Sequence, residues 1–198
     1  MTGSARREQL IDVARGLFAE RGFDATSVEE IATRAEVAKP AVYEHFGGKE
    51  GLYAVVVDRE VRSLLTGMQT ALAGGGPRML LEQSALALLD YIERSSDGFR
   101  ILVRDSPVGS STGSFVSILG DVASRVEHIL GAELAERGFD PETAPMYAQM
   151  LVGMAGTTGQ WWLDARRPSK EVVAAHLVNL AWNGLAGMVK EPVLRSAT

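Results

Sequence analysis

The chain has 198 residues, 46% of them apolar and 23% charged, with a net charge of −5 and no cysteine. That composition suits one long or two small folded domains, and it excludes a disordered protein, a disulfide framework, a thiolate metal site and a cysteine nucleophile. No stretch reaches the ~18 uninterrupted apolar residues of a membrane span, and the opening MTGSARREQL carries no apolar run, so a cytoplasmic protein without a membrane partner is expected.

No period-2 alternation appears, so the chain reads as all-α. A first helix places Leu10, Ile11, Ala14, Leu17 and Phe18 on one stripe and stops at Arg21-Gly22. Arg6 and Arg7 precede that stripe in an N-terminal arm, which is either a solvated terminus or a minor-groove or phosphate contact. Phe23 then anchors the loop that leads on.

From Thr26 to Lys49 two short helices flank a tight turn, the plan of a helix-turn-helix. Ser27 is placed to cap the first, with Glu30 three residues on completing a capping box, and Val28, Ile31, Ala32 and Ala35 form its buried stripe. After Glu36-Val37-Ala38, Pro40 sits in the first turn of the second helix, and Val42 and Phe46 face inward. Rotation by 100° per residue leaves Pro40, Tyr43 and Glu44 outward, with Lys39, Ala41 and His45 on the flanks. Periodicity alone fits an ordinary helical hairpin as well.

The wording of SVEEIATRAEVAKPAVYEHFGGKEGLY, residues 27–53, goes further. It resembles the DNA-binding segment of the tetracycline-repressor (TetR) family of bacterial transcription regulators, over about residues 8 to 57. The resemblance implies a three-helix N-terminal DNA-binding domain with a helix-turn-helix, followed by a C-terminal helical bundle for ligand binding and dimerisation. It further implies that Lys39, Pro40 and Ala41 approach base edges, that Tyr43, His45 and Lys49 hold phosphates, and that Thr26 and Ser27 meet phosphate at the start of the first reader helix. Lysine can donate to guanine O6 or N7, and tyrosine to a phosphate. Glu44 either accepts from cytosine N4 or is repelled by the backbone. Two departures stand out: Glu36 replaces the usual turn glycine, predicting a left-handed non-glycine residue, and Ala38 replaces a Ser or Thr, leaving the second helix without a side-chain cap.

Charge works against the DNA reading, because residues 1–50 carry seven Lys/Arg against nine Asp/Glu. Binding then requires Arg6, Arg7, Lys39, His45 and Lys49 to gather on one surface while Asp12, Glu20, Glu29 and Glu30 point elsewhere. Few phosphates are neutralised per subunit, so affinity depends on dimerisation.

A long helix from Lys49 to about Leu72 follows, the expected lever between a domain of residues 1–48 and one of 49–198. Gly74-Gly75-Gly76-Pro77 ends it. The stretch Arg78 to Arg94 is apolar on most faces and reads as a central buried helix. Ser95-Ser96-Asp97-Gly98 reads as a turn before a short helix, Phe99 to Arg104. The loop DSPVGSSTG comes next, then a helix from Phe115 stopped by Gly138. In TetR-like proteins this region encloses an effector cavity. Candidate lining groups are Met68, Leu89, Tyr91, Phe99, Arg104, Phe115, Met150, Met154 and Trp162, each of which also reads as plain core, and Arg104 beside Asp105 as a surface pair. The implied effector is largely apolar.

Asp140-Pro141 starts a helix to about Asp164, and Ser169 another to about Lys190, before a frayed tail from Pro192. Gly153, Gly156 and Gly159 in the first permit close approach of another helix. With Leu177, Leu180, Ala181, Trp182 and Leu185 of the second they predict a four-helix interface between two copies, the alternative being an intrachain hairpin. The three histidines, at 45, 128 and 176, lack companions at ligand spacing, so no metal or other cofactor is expected. Ser110, Ser111, Thr112 and Ser114 belong to no nucleophile elbow, and no phosphate loop appears, so no catalytic residue or enzyme activity is expected. The sequence thus predicts a ligand-responsive homodimeric regulator, a repressor that releases a palindromic operator when its effector binds. The alternative is a helical small-molecule-binding protein that does not bind DNA specifically.

Overall fold

The computed structural model describes residues 2–104 and 115–194, without the side chains of 115 and 116. Among them are nine α-helices and no strand: α1 Gly3–Arg21, α2 Val28–Arg34, α3 Lys39–Phe46, α4 Lys49–Ala71, α5 Pro77–Arg94, α6 Ser96–Val103, α7 Phe115–Glu136, α8 Ala144–Ala165 and α9 Lys170–Ala186. One turn of 3₁₀ helix, Pro141–Thr143, precedes α8. The DSPVGSSTG loop with its serines, and residues 195–198 of the tail, lie outside the described residues.

The chain divides into two compact units, one grouping the residues up to Thr66 with Tyr91–Ile118, the other Gly67–Asp90 with Leu119 onward. In the first, the predicted stripe of α1 is the centre of the core: Leu10, Ala14 and Leu17 are fully buried and Phe18 nearly so. Each such Leu or Phe contributes about 1.5–3 kcal/mol by leaving water. Phe18, Phe23 and Tyr53 close into an aromatic cluster, with Tyr53 edge-on to both at 5.0 and 4.9 Å. Phe99, Ile101 and Leu102 of α6 are buried in the same unit.

Polar contacts fix α6 at both ends. At its start, Glu60 of α4 accepts from Tyr91 Oη at 2.7 Å and Ser95 Oγ at 2.9 Å, and pairs with Arg15 of α1 at 3.4 Å. At its finish, Arg104 donates to the carbonyl of Phe18 at 3.2 Å, placing a cation near the C-terminal end of α1.

Several boundaries differ from the sequence expectation, among them the start of α8, which follows the 3₁₀ turn at Ala144. Helix α1 begins at Gly3, with Thr2 Oγ1 accepting from the Ala5 amide at 3.3 Å, so Arg6 and Arg7 ride on a helix and not on an arm. Helix α6 begins at Ser96: Asp97 favours the first turn of a helix, and position 98 within that turn is glycine because Glu60 occupies the space a side chain would fill. Helix α9 ends at Ala186, its closing cap supplied by Gly187, short of Lys190.

In the second unit α8 and α9 turn back on each other through Arg166 in the left-handed conformation, φ 53°. Trp162 is buried there with its indole N–H donating to the Pro168 carbonyl at 2.8 Å. Lys170, at the start of α9, pairs with Asp90 of α5 at 2.7 Å, and Arg137 donates to the Leu185 carbonyl at 3.3 Å.

Candidate nucleic-acid interface

Helix α2 starts as its sequence dictates: Ser27 Oγ accepts from the Glu30 amide at 3.1 Å. The helix stops because Glu36 swings to φ 53°, letting the Val37 amide reach the Ala32 carbonyl at 2.9 Å. A non-glycine residue in that conformation costs about 1–2 kcal/mol. Ala38 precedes α3 without any side-chain cap, and Pro40 lies in the first turn. Val42 is fully buried, and Phe46, half-buried, lies under the Arg7 guanidinium at 5.1 Å. Gly47, φ 74°, closes the helix. A side chain at Gly51 would stand 1.9 Å from the Phe46 carbonyl, so a glycine is what lets α4 start tight against the end of α3.

Lys39, Pro40, Tyr43 and Glu44 are exposed along α3, and Ala41 and His45 are half-exposed beside them. Ser27 is exposed at the start of α2, its oxygen occupied by the Glu30 amide and its proton still available as a donor.

Thr26 is expected from the resemblance to meet phosphate. It is 1% exposed, and its hydroxyl donates inward to the Gly22 carbonyl at 2.7 Å, so it seals the end of α1. Lys49 is half-buried, donates to the Phe23 carbonyl at 3.0 Å and covers the Phe23 ring at 4.2 Å. Glu29 was expected to point away from the cations but is hydrogen-bonded to Lys39, which holds its carboxyl below the usual range and the Lys39 ammonium above its own. Neighbouring cations are also paired: Arg21 with Glu30 at 2.5 Å, Arg34 with Glu20 at 3.4 Å, and Arg59 with Glu8 through two contacts of 2.6 and 2.7 Å.

Two family models match the chain, that of bacterial regulatory proteins of the tetR family over residues 10–56, and that of the tetracyclin repressor-like C-terminal domain over residues 77–184. The chain belongs to the TetR family. A relative, the HTH-type transcriptional activator FasR of Mycolicibacterium smegmatis, is 32% identical over 96% of this chain and 86% of its own length. A TetR-like transcriptional regulator from Rhodococcus sp. RHA1 has a structure similar to this one at TM-score 0.79 and 26% identity, covering 95% of this chain and 100% of that one. A TetR/AcrR-family regulator from Thermobifida fusca gives 0.66 and 28%, covering 91% and 98%. This TetR-family chain is therefore a DNA-binding regulator of transcription and not an enzyme. Among its described residues no helix is long and apolar enough to cross a membrane, and no three His, Cys, Asp or Glu side chains are grouped to hold a metal ion.

The candidate effector groups fall in both units. Tyr91 and Phe99 are buried in the first, Tyr91 bound to Glu60, and the exposed Arg104 is bound to Phe18. Leu89 and Trp162 are buried in the second, where Met68 and Met154 are half-buried and Met150 is exposed. Phe115 has no described side chain. Of the residues proposed for a homodimer contact, Gly156, Gly159, Leu177 and Ala181 are buried within the chain. Gly153, Trp182 and Leu185 are half-exposed, and Leu180 is 65% exposed.

Proposed function

We propose that the protein acts in the cytoplasm as a homodimer on a palindromic operator and alters its DNA affinity when a small, largely apolar effector binds. The observation that carries this reading is the outward row Lys39, Pro40, Tyr43 and Glu44 on a helix whose opposite side is anchored by the buried Val42. A helix presenting donors and apolar groups in this way fits a major groove, and two related by a dimer axis fit successive grooves about 34 Å apart.

The dimer is supported by the open side of the α8–α9 pair. Met146, Met150 and Trp161 are about half exposed at positions that share one face of α8 with Gly153, and Val172 and Leu180 are exposed on α9. A side chain at Gly153 would meet nothing within 4 Å in the chain itself, so its own fold does not require glycine there. Exposed apolar groups on both helices of the pair suit a self-complementary helix-pair interface. For the effector, Met68, Leu89, Met154 and Trp162 of the second unit are the groups we assign, an apolar set with two adaptable methionines. An effector regulates only by binding the two DNA-affinity states unequally.

Repression follows from a dimer that blocks a promoter and leaves when the effector binds. The relative named as an activator favours a second reading, in which bound protein promotes transcription. Selection of random duplex DNA by the purified protein tests the core of the proposal: an inverted repeat should be enriched, and the absence of any motif from a folded dimer would overturn it. A reporter carrying that repeat then gives the sign of regulation.

A further inference from the structure

We infer that Glu29 is a specificity-determining residue for DNA recognition, holding the Lys39 ammonium so that it serves a base edge and is withheld from phosphates at large; this rests on the proposed use of α3 as the reading helix.

Glu29 lies in the first turn of α2 and Lys39 is the first residue of α3, so their hydrogen-bonded pair crosses the turn between the two helices. Both side chains are about half exposed at the edge of the reading row. Among Lys39, Pro40, Ala41, Tyr43, Glu44 and His45, Lys39 is the one permanent cation, and Glu44 beside it is an anion. With Glu29 against Lys39, the row presents no net positive charge to a phosphate backbone.

A phosphate gains from a lysine through charge, wherever the lysine lies along the strand. A carboxylate already on that lysine removes most of the gain for every sequence alike. A guanine edge works through direction, offering O6 and N7 as two acceptors in fixed positions. An ammonium has three N–H groups, so one committed to Glu29 leaves two for such an edge. Glu29 therefore weakens indiscriminate binding more than it weakens binding to a matching sequence. This is discrimination achieved by penalising the wrong partner, in a region where Arg21 and Arg34 are also paired with glutamates.

The test compares wild type, Glu29→Gln and the double variant Glu29→Gln/Lys39→Ala on random-sequence duplex DNA and on the inverted repeat obtained by selection, across a salt series, with circular dichroism to confirm folding. For Glu29→Gln, affinity for random duplex should rise by roughly three- to tenfold at 50 mM salt, and the salt slope should steepen by about one per protomer as Lys39 takes up a phosphate. Affinity for the selected repeat should rise less, so the specificity ratio falls. The double variant should lose the gain. No change in random-duplex affinity or salt slope with Glu29→Gln overturns the inference, and so does a gain that persists without Lys39. If wild type itself shows no preferred repeat, the proposed operator reading fails, while the random-duplex comparison still decides whether Glu29 restrains Lys39.

Discussion

A methyl group built on Gly98 would stand 1.9 Å from Oε2 of Glu60, closer than any side chain can approach. Glu60 is 6% exposed and gathers Tyr91, Ser95 and Arg15 around its carboxylate, and glycine at position 98 leaves room for that arrangement at the start of α6. Alanine is ordinarily about 1 kcal/mol better than glycine inside a helix. Here Gly98→Ala should instead destabilise the protein by about 2–3 kcal/mol, because the carboxylate must move and its hydrogen bonds loosen. A denaturant titration of Gly98→Ala, Glu60→Ala and the pair checks this: shared cause predicts that the double variant loses clearly less than the two single losses added. Simple additivity would show that the contact is not the source.

The same carboxylate governs Tyr91. Burial, reinforced by the hydrogen bond to Glu60, pushes the Tyr91 phenol far above the ordinary tyrosine range. A pKa raised on folding stabilises the native state fully below about pH 10 and progressively less above it, since the unfolded chain releases a proton that the folded chain retains. Stability of the wild type should therefore fall from about pH 10 upward, and that fall should be shallower in Tyr91→Phe. At neutral pH the variant should be about 1.5–3 kcal/mol less stable, the range for a hydrogen bond to a charged group. Alkaline absorbance titration offers a direct view, because the Tyr91 phenol should ionise only as the protein unfolds. Ionisation of all four tyrosines in the folded protein would refute the assignment.

The acid limb depends on a different contact. Arg59 of α4 grips Glu8 of α1 through both terminal guanidinium nitrogens, at 2.6 and 2.7 Å, and this hydrogen bonding holds the Glu8 carboxyl below its usual range. A lowered carboxyl pKa contributes stability above the unfolded value, about 4.5, and that contribution disappears as pH falls through the folded value. The melting temperatures of wild type and Glu8→Gln should differ most near neutrality and converge at about pH 3. A gap that stays constant with pH would mean that glutamine perturbs packing and not charge.

How far these features could be read in advance depends on their range along the chain. The stripe of α1, the capping role of Ser27, the left-handed Glu36, the uncapped Ala38 and the inward Val42 are local consequences of residue type and spacing, and they stand where the sequence predicted them. Local spacing makes Gly98 a turn residue, because its reason for being glycine lies 38 positions away, in Glu60. The partners of Arg104 and Tyr91, at Phe18 and Glu60, are likewise distant in sequence, so the sequence leaves pocket, core and surface readings open for them. A threonine before a cap position suits either an outward phosphate contact or an inward hydrogen bond, and the Gly22 carbonyl that takes the Thr26 hydroxyl at 2.7 Å is not visible in local spacing. In the reading row, periodicity identified which residues face outward, whereas the pairing of Lys39 with Glu29 required the two helices to be placed against each other.

The two ends of α2 carry opposite local choices, and they can be separated by experiment. Ser27 supplies a cap that, in general, is worth about 1 kcal/mol over alanine. Glu36 at φ 53° imposes a penalty of about 1–2 kcal/mol relative to a residue without a Cβ, and glycine gives back part of that through the greater freedom of its unfolded chain. Ser27→Ala should lower stability by about 1 kcal/mol, and Glu36→Gly should raise it by about 0.5–1 kcal/mol. Both changes lie outside the hydrogen bonds that hold Lys39, so Glu36→Gly should leave the preferred DNA sequence unchanged while sharpening the order of α3, visible as slower amide exchange at Val42 and Tyr43. Destabilisation by Glu36→Gly would mean that the glutamate side chain contributes more to the turn than its backbone strain takes away.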